Sequence, residues 1–210
     1  MDIDVLATLA RVGALITNDH LVYTSGRHGS SYVNKDALYP HTDATSAVCA
    51  RIAQQFAAEG VEVVAGPTVG GVIMAQWTAH HLRVLTGRAI LAVYAEEEQT
   101  GESKRRVFRR GYDALVASSR VLVVEDILTT GSSVRQVVEA VRAAGGEVVG
   151  VGALCNRGGI TAAQTGAPAL YCLAEVPLES FAPEACPLCA AGTPVNVRLG
   201  KGAAFVAGKR

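Results

Sequence analysis

Apolar positions alternate between two rhythms through the middle of the chain. In residues 42–59, Val48, Ile52 and Phe56 recur at four-residue spacing, with Thr42 or Asp43 placed to cap the start and Gly60 to stop the end. That spacing predicts a helix. Residues 61–67 (VEVVAGP) then form a short unbroken apolar run of the kind a buried strand makes. A second helix is predicted for 70–82, opened by two glycines, and a second strand for 89–96. Residues 120–128 (RVLVVEDIL) read as a third strand. In 134–146, Val134, Val137, Val138 and Val141 share one helical stripe closed by Gly145 and Gly146. Two further strands are predicted for 147–155 and 169–176. Val-rich runs without polar alternation belong to strands covered on both faces, and their alternation with helices predicts a doubly wound, mostly parallel α/β sheet.

The flanks follow a different grammar. Residues 21–39 read as a hairpin around a Gly/Ser turn, and the chain beyond residue 177 is punctuated by Pro and Gly. The expected organisation is a single domain over 1–210, its core about 42–176 and a small cap from about 1–41 and 177–210. Residues 1–19 read as an amphipathic helix. They carry Asp2 and Asp4 where a secretory leader would be basic. No apolar run approaches the ~18 residues of a membrane helix, so a cytoplasmic protein without a membrane partner is expected.

Composition narrows the classes. Nineteen basic and nineteen acidic residues cancel, which argues against a protein that holds nucleic acid through bulk positive charge. Half of the residues are apolar, too many for a disordered chain. Five scattered cysteines are not a disulfide framework. Cys49, Cys155 and Cys172 fall in predicted helix or strands and should pack as small apolar groups. Cys186 and Cys189 form a C-x-x-C, half of a zinc site by count, for which a structural turn is the default expectation. His80 and His81 fall late in a predicted helix and are read as packing residues. His28 is a weaker site candidate than Arg27 or Lys35.

The charge that matters is local. Residues 121–133 (VLVVEDILTTGSS) run a buried strand into two adjacent carboxylates, Glu125 and Asp126. Such acids lose hydration unless hydroxyls or a metal meet them. Thr129, Thr130, Gly131, Ser132 and Ser133 then open a helix, where backbone N–H groups and the helix dipole favour a phosphate. No lysine stands in the Walker position. A second strand end, residues 65–71 (AGPTVGG), offers bare backbone around Pro67, Thr68, Gly70 and Gly71. In open α/β sheets ligands bind outside such strand ends. Between two strands lies a charged stretch, residues 96–111 (EEEQTGESKRRVFRRG), carrying Lys104, Arg105, Arg106, Arg109 and Arg110. It is read as a mobile lid, the alternative being a solvated loop or an exposed hairpin.

The 121–133 segment resembles the phosphoribosyl-pyrophosphate (PRPP) motif of the type I phosphoribosyltransferases. The resemblance implies that Glu125 and Asp126 hold the ribose hydroxyls and that Thr129 to Ser133 cradle the 5′-phosphate. Residues 65–71 are similar to the family's pyrophosphate loop. Residues 25–36 (SGRHGSSYVNKD) and 155–159 (CNRGG) resemble the orotate branch, which implies base contacts from Arg157, Arg27 and Lys35. A guanidinium fork suits a planar carboxylate such as orotate. The implied activity is Mg²⁺-dependent transfer of the phosphoribosyl group from PRPP to orotate, with pyrophosphate released. Lys104 and Arg105 join the two acids as catalytic candidates, no side chain is assigned as a direct metal ligand, and a homodimer is implied. The alternatives are a relative acting on another base, or a PRPP-binding regulator with weak catalysis. The regulator is motivated by Glu97, an acid where the family usually carries a lysine.

Overall fold

The computed structural model describes residues 4–23, 25–101, 103–176 and 179–208. Asp2, expected at the head of the N-terminal helix, and Glu102, inside the expected lid, lie outside them. The chain divides into two compact units, residues 1–5 with 39–176 and residues 6–38 with 177–210.

The larger unit is built on a six-stranded sheet. Its strands are β1 (Val63–Pro67), β2 (Leu91–Thr100), β3 (Ser103–Val107), β4 (Arg120–Leu128), β5 (Glu147–Asn156) and β6 (Leu170–Glu175), in the order β6-β5-β4-β1-β2-β3. All pairings are parallel except β2 with β3. Its main helices are α1 (Thr42–Phe56), α2 (Gly70–Thr86) and α3 (Ser132–Ala143). The valine stripe of α3, Val134, Val137, Val138 and Val141, is fully buried against Val63, Val121, Val123 and Val151 on one face. Burial of each such side chain is worth about 1.5–3 kcal/mol. On the other face α1 lies close enough to β5 that a Cβ on Gly150 would sit 2.6 Å from the Phe56 ring, and one on Gly152 would strike Ile52. Alternate residues of β5 thus face different helices, as the strand period requires, and the doubly wound parallel arrangement stands.

Three local expectations change. Helix α1 takes His41 as its N-cap, which places Thr42 and Asp43 inside the first turn. Helix α3 begins at Ser132, two residues early, because Gly131 adopts φ 72° and turns the chain into the helix there. The charged stretch forms the exposed hairpin that was the alternative to a lid. Strand β2 continues past residue 96 and folds back antiparallel on β3, pairing Glu96–Thr100 with Ser103–Val107. Opposite charges face each other across that ladder and replace the apolar stripe as the cross-strand match.

The smaller unit contains most of the helix Val5–Arg11 and two short antiparallel ladders, Leu15–Ile16 with Tyr32–Val33 and Leu21–Val22 with His28–Gly29. The C-terminal segment knits into them. His28 and Phe181 exchange backbone hydrogen bonds of 2.8 Å, Asn196 N–H donates to the His20 carbonyl, and Lys201 N–H donates to that of Val22. Leu9, Leu21 and Leu38 are buried inside it. No helix among the described residues is long and apolar enough to cross a membrane.

Candidate active site

Strand β1 is flanked by β2 on one side and β4 on the other. The chain leaves β1 for β2 and leaves β4 for β5, in opposite directions across the sheet, which opens a crevice outside the carboxyl ends of β1 and β4. Both motif-bearing strand ends meet there. After β1 the chain makes a cis Thr68–Val69 peptide and enters α2 at Gly70.

Strand β4 delivers Glu125 and Asp126, 7% and 3% exposed. Asp126 accepts a hydrogen bond from the Tyr39 hydroxyl at 2.5 Å on Oδ2 and from Ile127 N–H at 2.7 Å on Oδ1. Glu125 Oε1 accepts from Asp126 N–H at 3.0 Å. Hydroxyl and backbone donors thus replace part of the hydration that burial removes. Gly70 is dictated by this packing, since a Cβ there would overlap the Asp126 carboxylate and the Tyr39 hydroxyl. Glycine at 70 was expected for approach of backbone to phosphate; its internal reason is to admit Asp126.

Glu125 lines a cavity of about 130 Å³ with Thr129, Thr130, Gly131, Ser132 and Ser133 at the start of α3. The Thr130 hydroxyl donates to Ser132 Oγ at 3.0 Å and accepts from Ser132 N–H at 3.4 Å. Gly131, with its positive φ, faces Ile160, whose Cγ2 lies 3.0 Å from where a Cβ would stand. Hydroxyls, a helix start and its N–H groups line one small concavity, which suits a phosphate. The loop after β5 closes against the same turn. Arg157 N–H and Gly158 N–H both donate to the Leu128 carbonyl, and Asn156 clamps Ile160 through two 2.9 Å hydrogen bonds. Arg157 thus has its backbone fixed beside the Thr129–Ser133 turn.

The basic residues of the hairpin are committed to the acids opposite them. Lys104 pairs with Glu97 at 2.7 Å, Arg105 and Arg109 with Glu98, and Arg110 with Glu96 at 3.1 Å. These pairs lie at the surface, where water and salt screen them, and they add little to stability. Lys104 also draws the Glu97 carboxyl below its ordinary pKa, chiefly by hydrogen bonding. Arg106 differs. Its side chain is only 8% exposed, it lies 3.6 Å from Glu97, and its Nη1 donates to the Thr68 hydroxyl at 3.0 Å. Its Nε is buried with no hydrogen-bond partner among the described residues. Sequence reasoning named Lys104 and Arg105; the cation that the structure sets on the Pro67–Gly71 turn is Arg106. Tyr39 was also missed, because it stands 87 residues from Asp126.

Of the other named residues, Arg27 and Lys35 belong to the smaller unit. Arg27 donates to Ser180 Oγ at 2.9 Å, and Lys35 begins a short 3₁₀ turn. His81 bonds Ser46 across α1 and α2 and stacks on Trp77; burial lowers its pKa.

Residues 36–168 fit the phosphoribosyl transferase domain, and the chain belongs to that family. Among its relatives are two orotate phosphoribosyltransferases. That of Pelotomaculum thermopropionicum is 36% identical over 195 residues, covering 91% of this chain and 93% of that protein. That of Chlorobium phaeobacteroides is 35% identical over 184 residues, 88% of each. The fold is shared with Mycobacterium tuberculosis orotate phosphoribosyltransferase, solved with Fe(III) dicitrate, at a TM-score of 0.62 and 24% identity, over 82% of this chain and 95% of that one.

Tyr39→Phe removes the hydroxyl that donates to Asp126 and keeps the ring. One hydrogen bond to a charged group is worth about 1.5–3 kcal/mol, so kcat/KM for PRPP is expected to fall about 10- to 100-fold in steady-state kinetics. An unchanged value would remove Tyr39 from the site.

Proposed function

We propose that the chain transfers the phosphoribosyl group of PRPP to orotate, giving orotidine 5′-phosphate and pyrophosphate in pyrimidine nucleotide synthesis. The observation that carries this reading is that β4 presents Glu125 to the cavity of the 129–133 turn while the adjacent Asp126 packs against Gly70 of the Pro67–Gly71 turn.

In this reading Glu125 and Asp126 accept hydrogen bonds from the ribose hydroxyls, and the start of α3 holds the 5′-phosphate. The Thr68 turn and Arg106 hold the pyrophosphate. The orphaned Arg106 Nε–H suits a phosphate oxygen as acceptor. As the bond at ribose C1 breaks, positive charge grows on the sugar, as in glycosyl transfer. The buried carboxylates then stabilise it more than in the ground state, which is how a site accelerates chemistry. Arg157 presents a planar fork to the carboxylate of the base. The adjacent buried carboxylates are hard oxygen donors of the kind Mg²⁺ takes, directly or through its waters. When bound with PRPP, Mg²⁺ would offset charge on the leaving pyrophosphate. Cytoplasmic location and a homodimer complete the proposal.

The acid at 97 does not favour a non-catalytic regulator, because Lys104 and Arg106 both lie against it. The test is loss of orotate absorbance with PRPP and Mg²⁺, with pyrophosphate measured in parallel over a panel of bases and the oligomeric state read by light scattering. Orotate alone should turn over, and the active species should be a dimer. Turnover of a purine but not orotate would overturn the base assignment, and a fully active monomer would overturn the dimer.

A further inference from the structure

The C-x-x-C of the tail does not stand alone. The turn that carries Cys186 and Cys189 packs against the Leu21–Gly29 hairpin of the same unit, and two histidines meet the thiols there. His20 Nε2 lies 3.7 Å from Cys186 Sγ and 3.6 Å from Cys189 Sγ; His28 Nδ1 lies 3.4 Å from Cys189 Sγ and 3.0 Å from His20 Nε2. All four ligand atoms fall within 4.8 Å of one another, and three of the four residues are buried.

We propose that His20, His28, Cys186 and Cys189 form a structural zinc site that ties the N-terminal hairpin to the C-terminal segment. A tetrahedral ion with Zn–S of about 2.3 Å and Zn–N of about 2.0–2.1 Å has N–S edges of about 3.5 Å and an N–N edge of about 3.3 Å. The three N–S separations and the one N–N separation given above lie within about 0.4 Å of those edges. The histidine orientation is set as a ligand requires. His20 Nδ1 is held by the Thr193 carbonyl at 2.7 Å, so in the neutral ring that nitrogen carries the proton and Nε2 presents its lone pair to the thiols. The Phe205 ring meets His28 edge-on at 4.6 Å and supports its plane.

The sequence around the cysteines serves the same end. Pro187 starts the short helix Pro187–Ala190, with Cys186 as its N-cap and Cys189 within it. Residues three apart on a helical turn face one way. Ala190 N–H returns to the Cys186 carbonyl, and Thr193 N–H to that of Leu188. One turn therefore supplies two thiols and the carbonyl that orients His20.

Burial also favours the ion. Two thiolates and Zn²⁺ sum to zero charge, so the cluster is buried without a net charge. Binding releases two thiol protons to solvent and forms four metal–ligand bonds, with no oxidant or reductant needed. The sulfur and imidazole donors exclude Mg²⁺, which takes oxygen. The need is plain as well: the unit is small, and its two chain segments are distant in sequence, with Cys186 lying 166 residues from His20. Small units with limited cores draw stability from disulfides or metals.

The test uses the intact chain, purified from zinc-supplemented culture. Elemental analysis should find about one zinc per chain. Replacement by Co²⁺ should give thiolate charge-transfer bands and the visible spectrum of a tetrahedral site. A strong chelator should lower the wild-type Tm by about 10 °C, from mass action on a tightly held ion. Cys186→Ser with Cys189→Ser should abolish the cobalt spectrum. His28→Gln, with one ligand removed and the thiols kept, should weaken zinc binding at least tenfold. Absence of both zinc and a cobalt spectrum in the wild type would overturn the proposal. So would a Cys186–Cys189 disulfide by mass spectrometry, or full zinc retention in the double variant.

Discussion

Asp126→Asn is expected to lower kcat/KM for PRPP by about 10²- to 10³-fold while leaving Tm unchanged or slightly higher. The substitution keeps shape and removes charge. A hydrogen bond from a ribose hydroxyl to a carboxylate is worth about 1.5–3 kcal/mol. A carboxylate about 5–6 Å from a developing positive charge adds about 3 kcal/mol at an effective dielectric of about 20. The two effects overlap, so a loss of about 3–4 kcal/mol in transition-state stabilisation is the reasonable sum. Stability should move the other way. Asp126 is almost fully buried, and neutralising a buried acid removes a desolvation cost. A structural acid would show the reverse: a large Tm loss with kinetics unchanged. Kinetics and thermal unfolding of the same variant separate the two, and a kinetic effect below about fivefold would take Asp126 out of the mechanism. Glu125→Gln should fall between wild type and Asp126→Asn.

Arg106→Ala carries the second large effect, an expected fall of about 10²- to 10³-fold in kcat, the scale of losing one preorganised donor. The guanidinium does two jobs. It braces the Thr68 turn through Nη1 and holds a buried Nε–H that has no acceptor among the described residues. Arg106→Lys keeps the charge but loses the fork, so it should recover only part of the rate. Lys104→Ala and Arg105→Ala remove exposed cations already paired with acids and should cost less than about fivefold. Equal losses at 104, 105 and 106, read as initial rates of pyrophosphate release, would refute the distinction. Glu97→Lys is an informative control. If the acid at 97 merely repelled pyrophosphate, that variant should gain activity. The ion pairs predict a loss, because a third cation would crowd Lys104 and Arg106.

Much of the core and part of the site were legible in the chain. The third predicted strand, 120–128, coincides with β4, and Glu125 near its end lines the cavity beside the Thr129–Ser133 turn. These features report local facts: whether a segment is covered on one face or two, and where an apolar run meets polar residues. The charged hairpin was less legible. Its strands are matched by cross-strand charge, and a pattern search that looks for apolar stripes does not see such pairing.

Local patterning alone determined the alternation of strands and helices, the burial of the Val-rich strands and the placing of Glu125 and Asp126 at a strand end before a Thr/Ser turn. The fold decided who meets whom. It set Tyr39 on Asp126, Arg106 on Thr68, and His20 and His28 beside Cys186 and Cys189. Each of these pairs is separated by dozens of residues or more, and its members meet only through strand order, register and chain crossings. Hydrophobic periodicity encodes a segment's exposure to water, not the identity of its distant neighbour. For that reason the acids could be read in the sequence, while the residues that orient them, replace the expected lysine and complete the half-site of Cys186 and Cys189 emerged only in three dimensions.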